Sequence, residues 1–234
     1  MIHDQEQSNY DPENNNLEEP SPEDFLPSPP KKRDFLQRRP DFASTTPALC
    51  LFLFFILASM ASWSRVFDDR LWASGDLVFG KNEYWRLFSS LFVHADLMHL
   101  MDNSILFLIF GTFLYYFYGS VVFPLMSLLV GVITAGISCW VHEPKLHLVG
   151  ASGMIYGMVA MWIVLYVRFH TVYTVPIRIL RVVGFCLVIL FPTSFHEEVD
   201  YLSHAIGFGV GVLAGVLMMP FGKKRERDFE RSEG

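Results

Sequence analysis

The chain has 234 residues, 52% of them apolar, and a formal charge of -6, a length that suits one compact domain. The charge is unevenly spread: residues 1–30 hold eight acidic groups and no Lys or Arg, so the remainder is slightly basic. Cys50, Cys139 and Cys186 stand far apart in apolar blocks with no C-x-x-C pair, which gives no reason to expect a disulfide.

Residues 1–46 read as a disordered tail, rich in Pro, Glu and Asn with few apolar residues to bury. A secretory signal peptide would open basic and apolar, and a mitochondrial presequence would avoid acids; this segment does neither. A basic cluster follows at Lys31, Lys32, Arg33, Arg38 and Arg39 and reads as a topology signal. From residue 47 the apolar residues come in blocks of about 20, the number needed to cross ~30 Å of hydrocarbon at 1.5 Å per residue. Six spans are expected, at roughly 47–67, 98–118, 121–141, 150–168, 176–192 and 201–221. The fifth is the weakest, because Arg178 and Arg181 shorten its apolar run and must snorkel to the interface. A basic tail, 223–234, ends the chain.

With the N-terminus inside, 13 of the 18 Lys and Arg fall on inner segments, which satisfies the positive-inside rule with both termini cytoplasmic. The outer loops are then 68–97, 142–149 and 193–200, and the first, with Trp72, Tyr84 and Trp85, is long and aromatic enough to lie partly in the interface. Spans two, four and six all start at the outer surface. Polar residues stand in the first turns of each: His99 and Asn103 in span two, Ser152 in span four, His204 in span six. Polar groups inside a membrane are expensive, so their occurrence at one depth in three helices suggests a site.

Spacing sharpens this. His99 and Asn103 are i and i+4 on one helix face, as are Ser152 and Tyr156. His204 heads a glycine stripe, Gly207, Gly211 and Gly215, while span four offers Gly153, Gly157 and Ala160. Small-residue stripes let membrane helices approach closely. Packed through these stripes, spans four and six would bring Ser152 to His204. A neutral histidine can take the serine proton as the oxygen attacks a carbonyl and return it to the leaving amine. Asn103, His99 and the Ser152 backbone N–H are candidate donors to the developing oxyanion, and the dipole at the N-terminus of span four favours negative charge there.

The sequence resembles the rhomboid family of intramembrane serine proteases. The matching pieces are YWR at 84–86, HADLMHLMDN at 94–103, GASGMIY at 150–156 and HAIGFGVG at 204–211, over residues from about 47 to 222. The resemblance implies a six-helix all-α membrane bundle with a long interfacial first outer loop, a Ser152–His204 dyad, and an oxyanion site made by His99, Asn103 and the Ser152 backbone. It implies that Tyr156 stacks under His204, that Trp85 and Arg86 brace the outer loop, that His94 orders the loop before span two, and that Gly150, Gly153, Gly207 and Gly211 support the site. Family substrates are single-pass membrane proteins. Membrane lipids are the other partner; no nucleic acid, cofactor or metal is expected. A plasma membrane or bacterial inner membrane is expected rather than a mitochondrial one.

Two departures stand out. Asp102 puts an acid inside span two, where it can orient a neighbour, contact water, or line the substrate cavity and alter side-chain preference. Asp200 is i−4 to His204, which raises a Ser–His–Asp triad, although an N-cap of span six is the simpler role. Other chemistries fit less well: HEPKLH at 142–147 and HEEVD at 196–200 both miss the H-E-x-x-H pattern of a zinc protease. His142, His147, His170 and His196 read as loop or interface residues. The rival reading is an inactive rhomboid-like protein that binds or escorts membrane clients; such proteins usually lose the serine or histidine, and both are present here.

Overall fold

A computed structural model describes residue 36 and residues 39–64, 71–190 and 200–233. The acidic tail and His196 lie outside these residues. Seven α-helices carry the described chain: α1 Phe42–Trp63, α2 Arg86–Ser89, α3 Leu97–Tyr118, α4 Ser127–Val141, α5 Ser152–Phe169, α6 Val175–Leu190 and α7 Tyr201–Glu233. Among the described residues there is no strand; a single bridge pairs Ala73 with Leu148.

The helix ends follow local chemistry. Asp41 caps α1 by accepting the Ser44 N–H at 2.9 Å, and Asp96 caps α3 by accepting the His99 N–H at 2.9 Å; each satisfies one of the orphan donors of a first turn. Gly119 stops α3 at φ 87°, a left-handed conformation that costs other residues energy. A π-helical turn, Val121–Met126, leads into α4.

Among the described residues, five helical stretches are long and apolar enough to cross a membrane: Phe42–Trp63, Leu97–Tyr118, Val121–Val141, Ser152–Phe169 and Tyr201–Asp228. Where the fifth span is expected the structure has α6, whose 16 described residues end where the described segment stops and are fewer than those of the other five stretches. Two boundaries differ from expectation. The first helix starts five residues early, at Phe42, because Asp41 caps it there. The last continues through the basic run beyond 222, where Lys, Arg and Glu are good helix formers and extend it past the apolar stretch.

The central helix is α5: 61% of its apolar window is buried, against 22–39% in the other four. Outward faces are apolar, with Leu53, Leu57, Ile105, Leu213 and Leu217 all exposed, as lipid contact requires and water would not favour. On α7 the buried positions Ser203, Gly207, Gly211, Ala214 and Met218 recur at helical spacing and form one stripe. That stripe meets α5 with backbone against backbone. A Cβ at Gly207 would collide with the Gly153 carbonyl oxygen, and one at Gly211 with that of Gly157. The third glycine of the stripe, Gly215, lies against Val164 and Met161.

Candidate active site

The close approach of α5 and α7 sets their first turns side by side. Ser152 is the first residue of α5, and His204 stands in the first turn of α7. Both line one cavity of about 880 Å³, together with His99, Asp102 and Asn103 from α3, and with Gly150 and Tyr156. The Tyr156 and His204 rings stack, with centroids 4.0 Å apart and planes 12° from parallel. No hydrogen bond joins Ser152 to His204 among the described residues. Such bonds are often long before substrate binds and tighten in the complex.

Asn103 is 7% exposed, and its Nδ2 is buried with no hydrogen-bond partner. A buried amide donor without an acceptor costs about 1–3 kcal/mol, so one left open beside a serine marks a place where an acceptor can arrive. Gly150 makes room for this arrangement. Its φ of 102° demands glycine, and a Cβ there would meet His99 Cε1 at 2.7 Å and Nε2 at 2.8 Å. The Gly150 N–H donates to the Ser90 carbonyl at 2.9 Å, which ties the GASG turn to the segment ahead of α3. Gly153 in turn lies against Thr134 of α4, so any side chain there would push the helices apart.

His94 lies outside the cavity wall, 1% exposed, and orders the turn before α3. Its Nδ1 pairs with the Ser59 hydroxyl at 3.2 Å, its carbonyl accepts the Trp63 indole N–H at 2.8 Å, and its ring meets His99 edge-on at 5.2 Å. Burial, and next the neighbouring His99, push the His94 pKa down to about 3, so the ring is neutral at physiological pH.

Arg86 is buried in the long first loop. It pairs with Glu83, donates to the Trp72 carbonyl at 2.9 Å and packs over the Trp85 ring, 4.7 Å from its centroid. The same loop is pinned to the 142–149 loop by reciprocal bonds between Ala73 and Leu148 (3.1 and 2.7 Å) and by the Asp76 N–H to the Pro144 carbonyl (2.9 Å).

Asp200 caps α7. Its Oδ1 accepts the Ser203 N–H at 3.0 Å, its Oδ2 accepts the Ser203 hydroxyl, and His142 Nε2 reaches Oδ1 at 3.0 Å. Burial works against the charge, but these bonds outweigh it and hold the carboxyl below its usual range. Both carboxylate oxygens are thus spent on Ser203 and His142, and the bond to His204 is made by the Asp200 backbone carbonyl. His142 also points Nδ1 at the Ser138 carbonyl, 2.9 Å away. Ser203 and Ser138 are joined hydroxyl to hydroxyl at 2.7 Å. This Ser138–Ser203–Asp200–His142 chain links the end of α4 to the start of α7. The sequence signal for it was weak: two serines inside apolar helices and a histidine directly after one.

A helix-bundle membrane protein whose spans enclose a serine, a histidine and an open amide donor is the class defined by this fold and cavity. Residues 81–221 match the family model described as the rhomboid domain, more than half of the chain, and the chain belongs to the rhomboid family. Its relatives include RHOMBOID-like protein 1 of Arabidopsis thaliana, 26% identical over 61% of this chain and 36% of that protein. Rhomboid-like protease 3 of Toxoplasma gondii is 30% identical over 65% of this chain and 57% of its own length. Rhomboid protease GlpG of Haemophilus influenzae is 26% identical over 58% of this chain and 70% of its own. The chain thus spans less than two thirds of the first two of these proteins. A further relative, RHOMBOID-like protein 6 of Arabidopsis thaliana, carries the word mitochondrial in its name, so family membership does not by itself choose the membrane.

Proposed function

We propose that this protein is an intramembrane serine endopeptidase that cuts single-pass membrane proteins near the outer membrane face. The observation that carries the reading is the meeting of Ser152, His204 and the unpartnered Asn103 amide in one cavity. In this reading His204 accepts the Ser152 proton as Oγ attacks the scissile carbonyl, and later returns it to the leaving amine. Tyr156 supports the imidazole from beneath through the observed stacking. The oxyanion is received by Asn103, His99 and the Ser152 N–H, helped by the dipole of α5. The names of several relatives as rhomboid proteases support the activity.

The same reading keeps six spans, with α6 as the fifth, both termini cytoplasmic and the basic residues inside, in a plasma membrane or bacterial inner membrane. It keeps an acidic tail ahead of the helix that starts at Phe42, a protease core from that helix to residue 222 and a basic cytoplasmic end at 223–234. The test is labelling of the detergent-solubilised protein by a fluorophosphonate, together with cleavage of a transmembrane substrate. Unchanged protein should label and cleave, and Ser152→Ala should do neither. Absence of labelling in the unchanged protein would favour the inactive, client-binding reading.

A further inference from the structure

Asp102 is an acid in a helix that contains no other acidic residue and no Lys or Arg from Leu97 to Tyr118. It stands in the second turn of α3, one residue before Asn103, half-buried, and lines the cavity that holds Ser152 and His204. Among the described residues no hydrogen bond or ion pair engages its carboxylate. The other two carboxylates of the cavity wall are already used: Asp96 caps α3, and Asp200 holds Ser203 and His142. No Lys or Arg is among the residues that line the cavity.

A carboxylate at this depth is expensive, and one without a partner doubly so. On the cavity wall only His99 is electrostatically coupled to it, and no Lys or Arg there offers a permanent positive charge, so a full counter-charge has to come from what enters the cavity. We propose that Asp102 sets substrate specificity by receiving a cationic side chain, Lys or Arg, that flanks the cut. This rests on the proteolytic reading of the site. The acid lines the same cavity as Ser152, so a guanidinium or ammonium carried in by a substrate segment gains a partner that is partly shielded from bulk water. An acidic side chain at the same position meets repulsion, so the effect is discrimination as much as affinity.

The experiment uses the full chain in detergent and a set of transmembrane substrates that differ only in carrying Lys, Ala or Glu at successive positions around the cut. At one position Lys should exceed Glu roughly 3- to 10-fold in kcat/KM, the combined size of one partly shielded attraction and one repulsion. Asp102→Asn should bring that ratio close to one, and Asp102→Lys should reverse it. The same peptides are also bound to Ser152→Ala, with and without Asp102→Asn, and followed by fluorescence anisotropy, so the charge preference is read without turnover. An equal Lys-to-Glu ratio in unchanged protein and Asp102→Asn overturns the proposal. So does a loss in Asp102→Asn that falls on all substrates alike, which would assign the acid to His99 or to folding. If Ser152→Ala cleaves as fast as the unchanged protein, the proteolytic reading fails by itself, and the binding arm still decides the role of Asp102.

Discussion

Asn103 and Asp200 show how differently two polar residues at membrane helix ends can be used. Asn103 keeps a buried donor open, which in the proposed mechanism meets an acceptor that appears during the reaction. Asn103→Ala should therefore lower kcat by about 10²-fold while leaving fluorophosphonate labelling detectable, since other donors remain. If it matches Ser152→Ala in both assays, Asn103 positions the nucleophile instead. Asp200 has no such opening, because both its oxygens are bonded within the rim. Asp200→Asn keeps a good capping side chain and should retain substantial activity, whereas Asp200→Ala should lower stability by about 1–2 kcal/mol through the lost cap. A drop near 10⁴-fold in kcat for Asp200→Asn would reinstate it as a triad acid.

The α5–α7 contact is the element on which the site depends, because it sets the distance between two first turns. Its glycines are not equivalent. A Cβ at Gly211 would strike the Gly157 carbonyl, while one at Gly209, on the outward face of the same helix, would meet nothing. Gly211→Ala should lower stability by roughly 1–3 kcal/mol, the usual range for overpacking, and activity should fall with it as Ser152 and His204 part. Gly209→Ala should be neutral or slightly stabilising, since alanine costs a helix less than glycine. Thermal unfolding in detergent compares the two directly. Similar losses in both variants would mean that glycine is needed for helix bending and not for close approach.

At the scale of the whole molecule, the most consequential titration is that of a residue outside the cavity. His94 is neutral when folded and titrates at about 3, against 6.5 for an unperturbed histidine. Above pH 6.5 neither state binds the proton, so His94 contributes no pH dependence. As pH falls below 6.5 the unfolded chain gains a proton that the folded chain refuses, and stability is lost down to about pH 3 at up to ~1.4 kcal/mol per unit. The half-buried Asp200, held below its usual range, adds its own loss only when pH drops into the carboxylate range. The melting temperature should thus decline steadily from about pH 6.5 downward. His94→Gln should flatten this decline while lowering stability at neutral pH, where the Ser59 contact is weakened. An unchanged slope in His94→Gln would assign the acid lability elsewhere.

The sequence by itself determined the class of fold, the family and the small set of chemically capable residues. Blocks of about 20 apolar residues, interrupted by H-x4-H-x3-N, G-x-S-G and H-x2-G-x3-G, are local patterns that survive without coordinates because hydrophobic length and i, i+4 spacing are properties of one helix at a time. Even the glycine stripe was legible, as was the capping role of Asp200, both being one-helix features. Pairings between helices were not. Which residue Gly215 would meet, that Ser138 and Ser203 would share a bond, and that His142 would close on Asp200 across 58 residues depended on the rotation and offset of neighbouring helices. Helical periodicity fixes the face that a side chain occupies but not what stands opposite it, and for that reason only the tertiary structure could leave the Asn103 amide and the Asp102 carboxylate facing one cavity without partners.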